Sequence, residues 1–135
     1  MSMEVFTKET VLQRLESFGY TVKDSDNFII SFSMDKVENT IKNDINAAEI
    51  PEGLEHAAVD MVVGEFLYAK KTFQPDDLEG FDLGYAVKQL STGDTTTVFT
   101  TGDGSETDEA RLSAFINYLQ NNGKSQFSNF RRIRW

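Results

Sequence analysis

Leu54, Ala57, Ala58, Met61, Val62, Val63, Phe66, Leu67 and Ala69 lay apolar side chains around most of the circumference of one helix. A surface helix carries a single apolar stripe, so a helix that is apolar nearly all round has to be enclosed by other elements. This segment predicts the central helix of a bundle, with Leu54, Ala58, Met61 and Val62 in its core. Its ends have helical chemistry. Pro51 suits the first helical position, where a missing N–H costs nothing, and Glu49, Glu52 and Glu55 place negative charge at the positive pole of the dipole. Lys70 and Lys71 place cations at the opposite pole.

The rest of the chain supplies the enclosing elements. Thr7 precedes Val11, Leu12, Leu15 and Phe18 at helical spacing, and Gly19 stands where a left-handed cap belongs, which predicts a first helix from Thr7 to Phe18. Asp24-Ser-Asp offers N-cap oxygens for a long second helix from Phe28, in which Phe32, Met34, Val37, Ile41 and Ile45 recur every three or four residues. Ser105-Glu-Thr-Asp108 has the pattern of a capping box and opens a last helix through Ala110, Leu112, Phe115, Ile116 and Leu119, closed by Asn122-Gly123. Between Phe73 and Gly104 the helical period breaks. Tyr85-Ala-Val-Lys-Gln-Leu and Thr95-Thr-Thr-Val-Phe-Thr-Thr flank the turn residues Ser91-Thr-Gly-Asp, so this stretch is expected to be a long loop or a short β-hairpin. The expected fold is mainly α: a small bundle of about four helices in one domain spanning residues 1–135, with residues 124–135 as an extended basic and aromatic segment.

Composition narrows the chemistry. Zero cysteines exclude a disulfide framework, thiolate catalysis and cysteine-ligated metals, and a single histidine, His56, excludes multi-histidine metal cages. The opening residues have no basic start followed by an apolar run, and no segment approaches the ~18 apolar residues of a membrane span, so the expectation is cytosol-like solvent and no membrane partner. Thirteen basic and 22 acidic side chains give a net charge of -9, unevenly spread. Lys124, Arg131, Arg132 and Arg134 make the last twelve residues +4, which leaves nine basic and 22 acidic residues, or -13, in residues 1–123. Such a body repels nucleic acid, while the basic segment suits an acidic surface.

No motif carries catalysis. His56 lacks a visible orienting partner and reads as a helix-surface histidine. Gly102-Asp-Gly104-Ser-Glu-Thr mimics a phosphate loop, but Thr107 replaces the needed glycine and two acids would face the phosphates, so it reads as a turn and helix cap. The same stretch fails the calcium-loop pattern, with Ala114 where the bidentate glutamate belongs. Asp76, Asp77, Glu79 and Asp82 form the densest carboxylate cluster and read as a solvated loop. No cofactor is expected. Phe130, Ile133 and Trp135 interleave with Arg131, Arg132 and Arg134, and against a body of -13 this reads as a segment that adds to a protein surface rather than as a nucleic-acid clip. These six residues are the expected partner or oligomer contact.

Four ordered blocks also carry a resemblance. Asp35-Lys-Val-Glu-Asn-Thr-Ile-Lys-Asn, Ile50-Pro-Glu-Gly-Leu54 leading to Asp60-Met61 and Gly64, Gly93-Asp-Thr-Thr, and the ending Phe130-Arg-Arg-Ile-Arg-Trp together resemble the head-tail connector family of tailed bacteriophages and prophages. The resemblance implies a non-enzymatic virion protein of the neck, present in host cytoplasm before assembly. Its small helical subunits would form a homo-oligomeric ring below the portal, joining capsid to tail and contacting the portal and neighbouring neck or tail-completion proteins. DNA would pass through the ring without sequence-specific binding, and an acidic channel lining suits such passage because a basic one would hold phosphates. The competing reading is a small acidic phage protein that mimics DNA and inhibits a host nucleic-acid enzyme. The lysines Lys36, Lys42, Lys70 and Lys71, mixed among the acids of the second and third helices, count against it.

Overall fold

The computed structural model describes residues 6–46, 49–88, 108–121, 124 and 127. It is a helical bundle, with α1 at Lys8–Ser17, α2 at Asn27–Ile45, α3 at Glu55–Phe73, a short α4 at Leu83–Lys88 and α5 at Asp108–Asn121. No strand occurs among the described residues.

α1 starts at Thr7, whose hydroxyl accepts the Thr10 N–H at 3.2 Å. It ends in a Schellman turn: Gly19 sits at φ +92°, its N–H reaches the Glu16 carbonyl at 2.9 Å, and the Tyr20 N–H reaches the Leu15 carbonyl at 3.1 Å. A Cβ at Gly19 would be in the strained left-handed region and 3.2 Å from the Tyr85 ring, so glycine fits both constraints. α2 buries Ile30, Ser33, Val37, Ile41 and Ile45, and its cap residue Asn46 adopts the left-handed conformation that asparagine tolerates better than most.

α3 occupies the centre, packing against α1, α2 and α5. Leu54, Ala58, Met61 and Val62 are buried, as are Val59, Val63, Phe66 and Leu67. Arg14 bonds Asp60 and the Tyr20 ring meets Phe66 edge-on, so α1 runs parallel to α3. Asp26 bonds Lys70 and Lys36 bonds Glu65, so α2 runs antiparallel to it. α5 crosses α3 at Gly64, where a Cβ would lie 2.9 Å from the Gln120 backbone nitrogen and from the Leu119 Cβ. Phe115 of α5 completes the core against Phe18, with ring centroids 5.4 Å apart.

Several expectations need correction. Pro51 is extended, at ψ 147°, and precedes a 3-10 turn at Glu52–Leu54, so α3 begins later than proline chemistry suggested. Asp24–Asp26 is likewise a 3-10 turn, and Asp26 points into the core instead of capping α2. Phe32 is 63% exposed, because the buried stripe of α2 runs through Ile30 and Ser33 and leaves it outside. The region after Phe73 is more helical than expected: a 3-10 turn spans Pro75–Leu78, and Leu83–Lys88 is α4, so Tyr85 to Lys88 are no strand. Asp82 starts α4 by accepting the Tyr85 N–H at 3.0 Å, a local side-chain cap that outweighs weak strand propensity. Lys124 and Phe127 are in 3-10 conformation and Phe127 is buried in the core, so the expected extended segment does not begin at residue 124. The expected second strand and turn, the capping box at Ser105 and residues Phe130 to Trp135 lie outside the described residues.

Candidate functional site

The most concentrated polar chemistry lies where the ends of α1 and α3 meet the start of α2. Lys70 is completely buried in the last turn of α3, on the same side as Phe66 and Leu67. Its Nζ donates to Asp26 Oδ1 at 2.6 Å, Gln74 Oε1 at 2.6 Å and Asp77 Oδ2 at 2.5 Å. Three ammonium protons therefore meet three acceptors. Asp26, also completely buried, accepts in addition the Tyr20 hydroxyl at 2.7 Å and the Lys23 N–H at 3.0 Å through Oδ2. Lys23 Nζ reaches Asp77 Oδ1 at 3.0 Å at the outer rim.

This arrangement fixes the protonation states. Burial opposes charge on Asp26, but bonds from Lys70, the Lys23 backbone and Tyr20 more than offset it and hold the carboxyl below its ordinary value. Burial also opposes charge on Lys70, and its bonds to Asp26 and Asp77 reverse the balance, leaving the ammonium harder to deprotonate than usual. Burial, then the bond to Asp26, pushes the Tyr20 phenol up. Asp77 is lowered by its bonds to Lys70 and Lys23. A lysine held as ammonium with every proton engaged has no lone pair to act as a base or nucleophile. The cluster locks three elements together: the Asp24–Asp26 turn, the end of α3 and the Pro75–Leu78 turn.

Other candidates fall on the surface. His56 is exposed on α3. Asp76, Glu79 and Asp82 are exposed as a solvated loop would have them, while Asp77 is drawn inward by Lys70. Among the described residues no group of three or more histidine or carboxylate side chains is placed to hold a metal ion, and no helix is long and apolar enough to cross a membrane. A surface cleft of about 430 Å³ between α2 and the start of α3 is lined by Phe6, Met34, Ile50, Glu38, Glu49 and Glu55, with Lys42 bonded to Glu38 at 2.6 Å.

The outer face of α2 is apolar where solvent is expected. Phe28 is 79% exposed and Phe32 63%, and their four-residue spacing stacks them on one face. Phe73 at the end of α3 is also exposed.

Sequence reasoning missed both features. Lys70 continues the Val59, Val63, Phe66 core phase of α3, a signal that reading it as a dipole-complementing cation passed over. Phe28 and Phe32 are out of phase with Ile30, Val37, Ile41 and Ile45, which marks them as outward-facing. No protein-family model, curated protein or solved structure matches this chain.

Proposed function

We propose that this protein is a head-tail connector subunit of a tailed bacteriophage or prophage: a non-enzymatic structural component that assembles as a ring below the portal, joins capsid to tail and surrounds the DNA exit channel. One observation carries the reading, the ordered set of sequence blocks that ends in Phe130-Arg-Arg-Ile-Arg-Trp. One of those blocks contains two residues with defined work in the bundle. Asp60 ties α3 to α1 through Arg14, and Gly64 lets α5 approach α3.

The physical character of the molecule supports an assembly role. Among the described residues the buried ionic cluster around Lys70 is saturated internally, whereas the outer surface carries unpartnered phenyl groups of the kind that protein contacts bury. A net charge of -9 suits passage of DNA without retention. DNA mimicry is the weaker reading, because three acids of α2 and α3 are neutralised by neighbours: Glu38 by Lys42, Glu65 by Lys36 and Asp60 by Arg14.

A head-tail joining assay tests the proposal. Phage heads prepared without this protein, mixed with separately purified tails, are expected to yield infectious particles only when the purified protein is added. Equal yields with and without it would refute the connector role.

A further inference from the structure

On the outer face of α2, Phe28 and Phe32 are flanked by exposed carboxylates, Asp24 one turn before and Asp35 three residues after. Among the described residues neither acid takes part in an ion pair, whereas Glu38 and Glu65 nearby both do. The face is thus two phenyl rings between two uncompensated negative charges. Its complement is a short segment with aromatic groups and several positive charges, and no acid.

The chain itself contains such a segment. Residues 128–135 hold Phe130 and Trp135 with Arg131, Arg132 and Arg134, and no acidic residue, whereas Phe127 just before them is buried in the core of its own chain. Guanidinium groups can pair with Asp24 and Asp35 and also stack on phenyl faces, while an aromatic side chain can cover the rings. We propose that the Asp24, Phe28, Phe32, Asp35 face of α2 is the docking site for the basic aromatic segment, Phe130 to Trp135, of a second copy of this chain. The contact is heterologous, with the segment of one copy on the helix face of the next. Repetition of such a contact generates a ring when the rotation closes. The inference rests on the connector reading for its biological setting and on the α2 face for its chemistry.

The two parts can fail separately. A fluorescent peptide of residues 128–135 is titrated with the full-length protein and followed by anisotropy. Saturable binding is expected, weakened about tenfold or more by Phe28→Ser with Phe32→Ser, the size associated with loss of a central aromatic anchor. Both side chains are exposed, so an unchanged melting temperature is the accompanying expectation. A peptide carrying Trp135→Ala should bind more weakly than one carrying Arg134→Ala, since an exposed charge pair contributes less than a covered ring. Equal binding by the double variant, or by a scrambled peptide of the same composition, would overturn the site. For the occupant, full-length protein with a photo-cross-linker at position 135 is mixed as heavy- and normal-isotope copies. Cross-links to α2 that combine both isotopes are expected. Cross-links confined to single-isotope pairs would show that the segment docks within its own chain and overturn the second-copy proposal. All these measurements use the protein alone, so their failure leaves head-tail joining untouched, and failure of joining leaves the docking measurements standing.

Discussion

Lys70 and Asp26 are each completely buried, and each is the other's charge partner at 2.6 Å. Removing one side of such a pair strands the other in a site without water. Lys70→Met is therefore expected to cost about 3–5 kcal/mol, measured by urea denaturation, much of it from the uncompensated Asp26. A loss below about 1 kcal/mol, the range of an exposed pair, would contradict the burial of this site. The cluster also sets a pH window. Asp26 titrates below its ordinary 3.8 when folded, so its stabilisation is present above that value and is lost as pH falls through the lower folded value. Lys70 and Tyr20 titrate above their ordinary 10.5 and 10.0, so theirs is present below those values and is lost as pH rises through the higher folded ones. Thermal melts should show this contribution constant between about pH 5 and 9, with the acid loss moderated in a variant whose Asp26 is already replaced. The pairing was not legible in the sequence, because Asp26 lies 44 positions from Lys70 and local rules give each a satisfactory role alone, one as a cap and one at a dipole. Gly19 was legible, since a left-handed cap is a local requirement.

At the scale of elements, the α3–α5 crossing depends on Gly64. A methyl group there meets the backbone of Gln120, which cannot rotate away as a side chain would. Gly64→Ala should force α5 outward and destabilise the protein by about 1–3 kcal/mol despite the better helix propensity of alanine. A gain in melting temperature would mean that propensity outweighs packing and that the two helices are further apart than described. The long helices were legible because their apolar periods run over many residues, and an all-round apolar segment such as Leu54 to Ala69 leaves one solution, enclosure. Shorter elements were not. Leu83–Lys88 holds only six residues, too few for periodicity to separate helix from strand, and its helical start is decided by the Asp82 side chain. On α2 the apolar residues exceed what one face can bury, so the sequence named the helix but put Phe32 on the wrong side of it.

At the scale of the whole molecule, self-repulsion competes with assembly. With a net charge of -9, isolated copies are expected to be monomeric or weakly associated in light scattering at low salt, with association rising at moderate salt as screening takes effect. A tight ring at both salt concentrations would show that no template is needed. Weak association in isolation is compatible with a firm ring in a particle, because contacts made on a preassembled portal are effectively intramolecular and need little affinity each. The central claim is that this chain is the subunit of such a ring, and electron microscopy of the purified protein mixed with a candidate portal protein tests this most directly. The expected image is a ring of additional density, coaxial with the portal and on its tail-facing side, absent when the protein is omitted. Portals unchanged at saturating protein concentration would contradict the account.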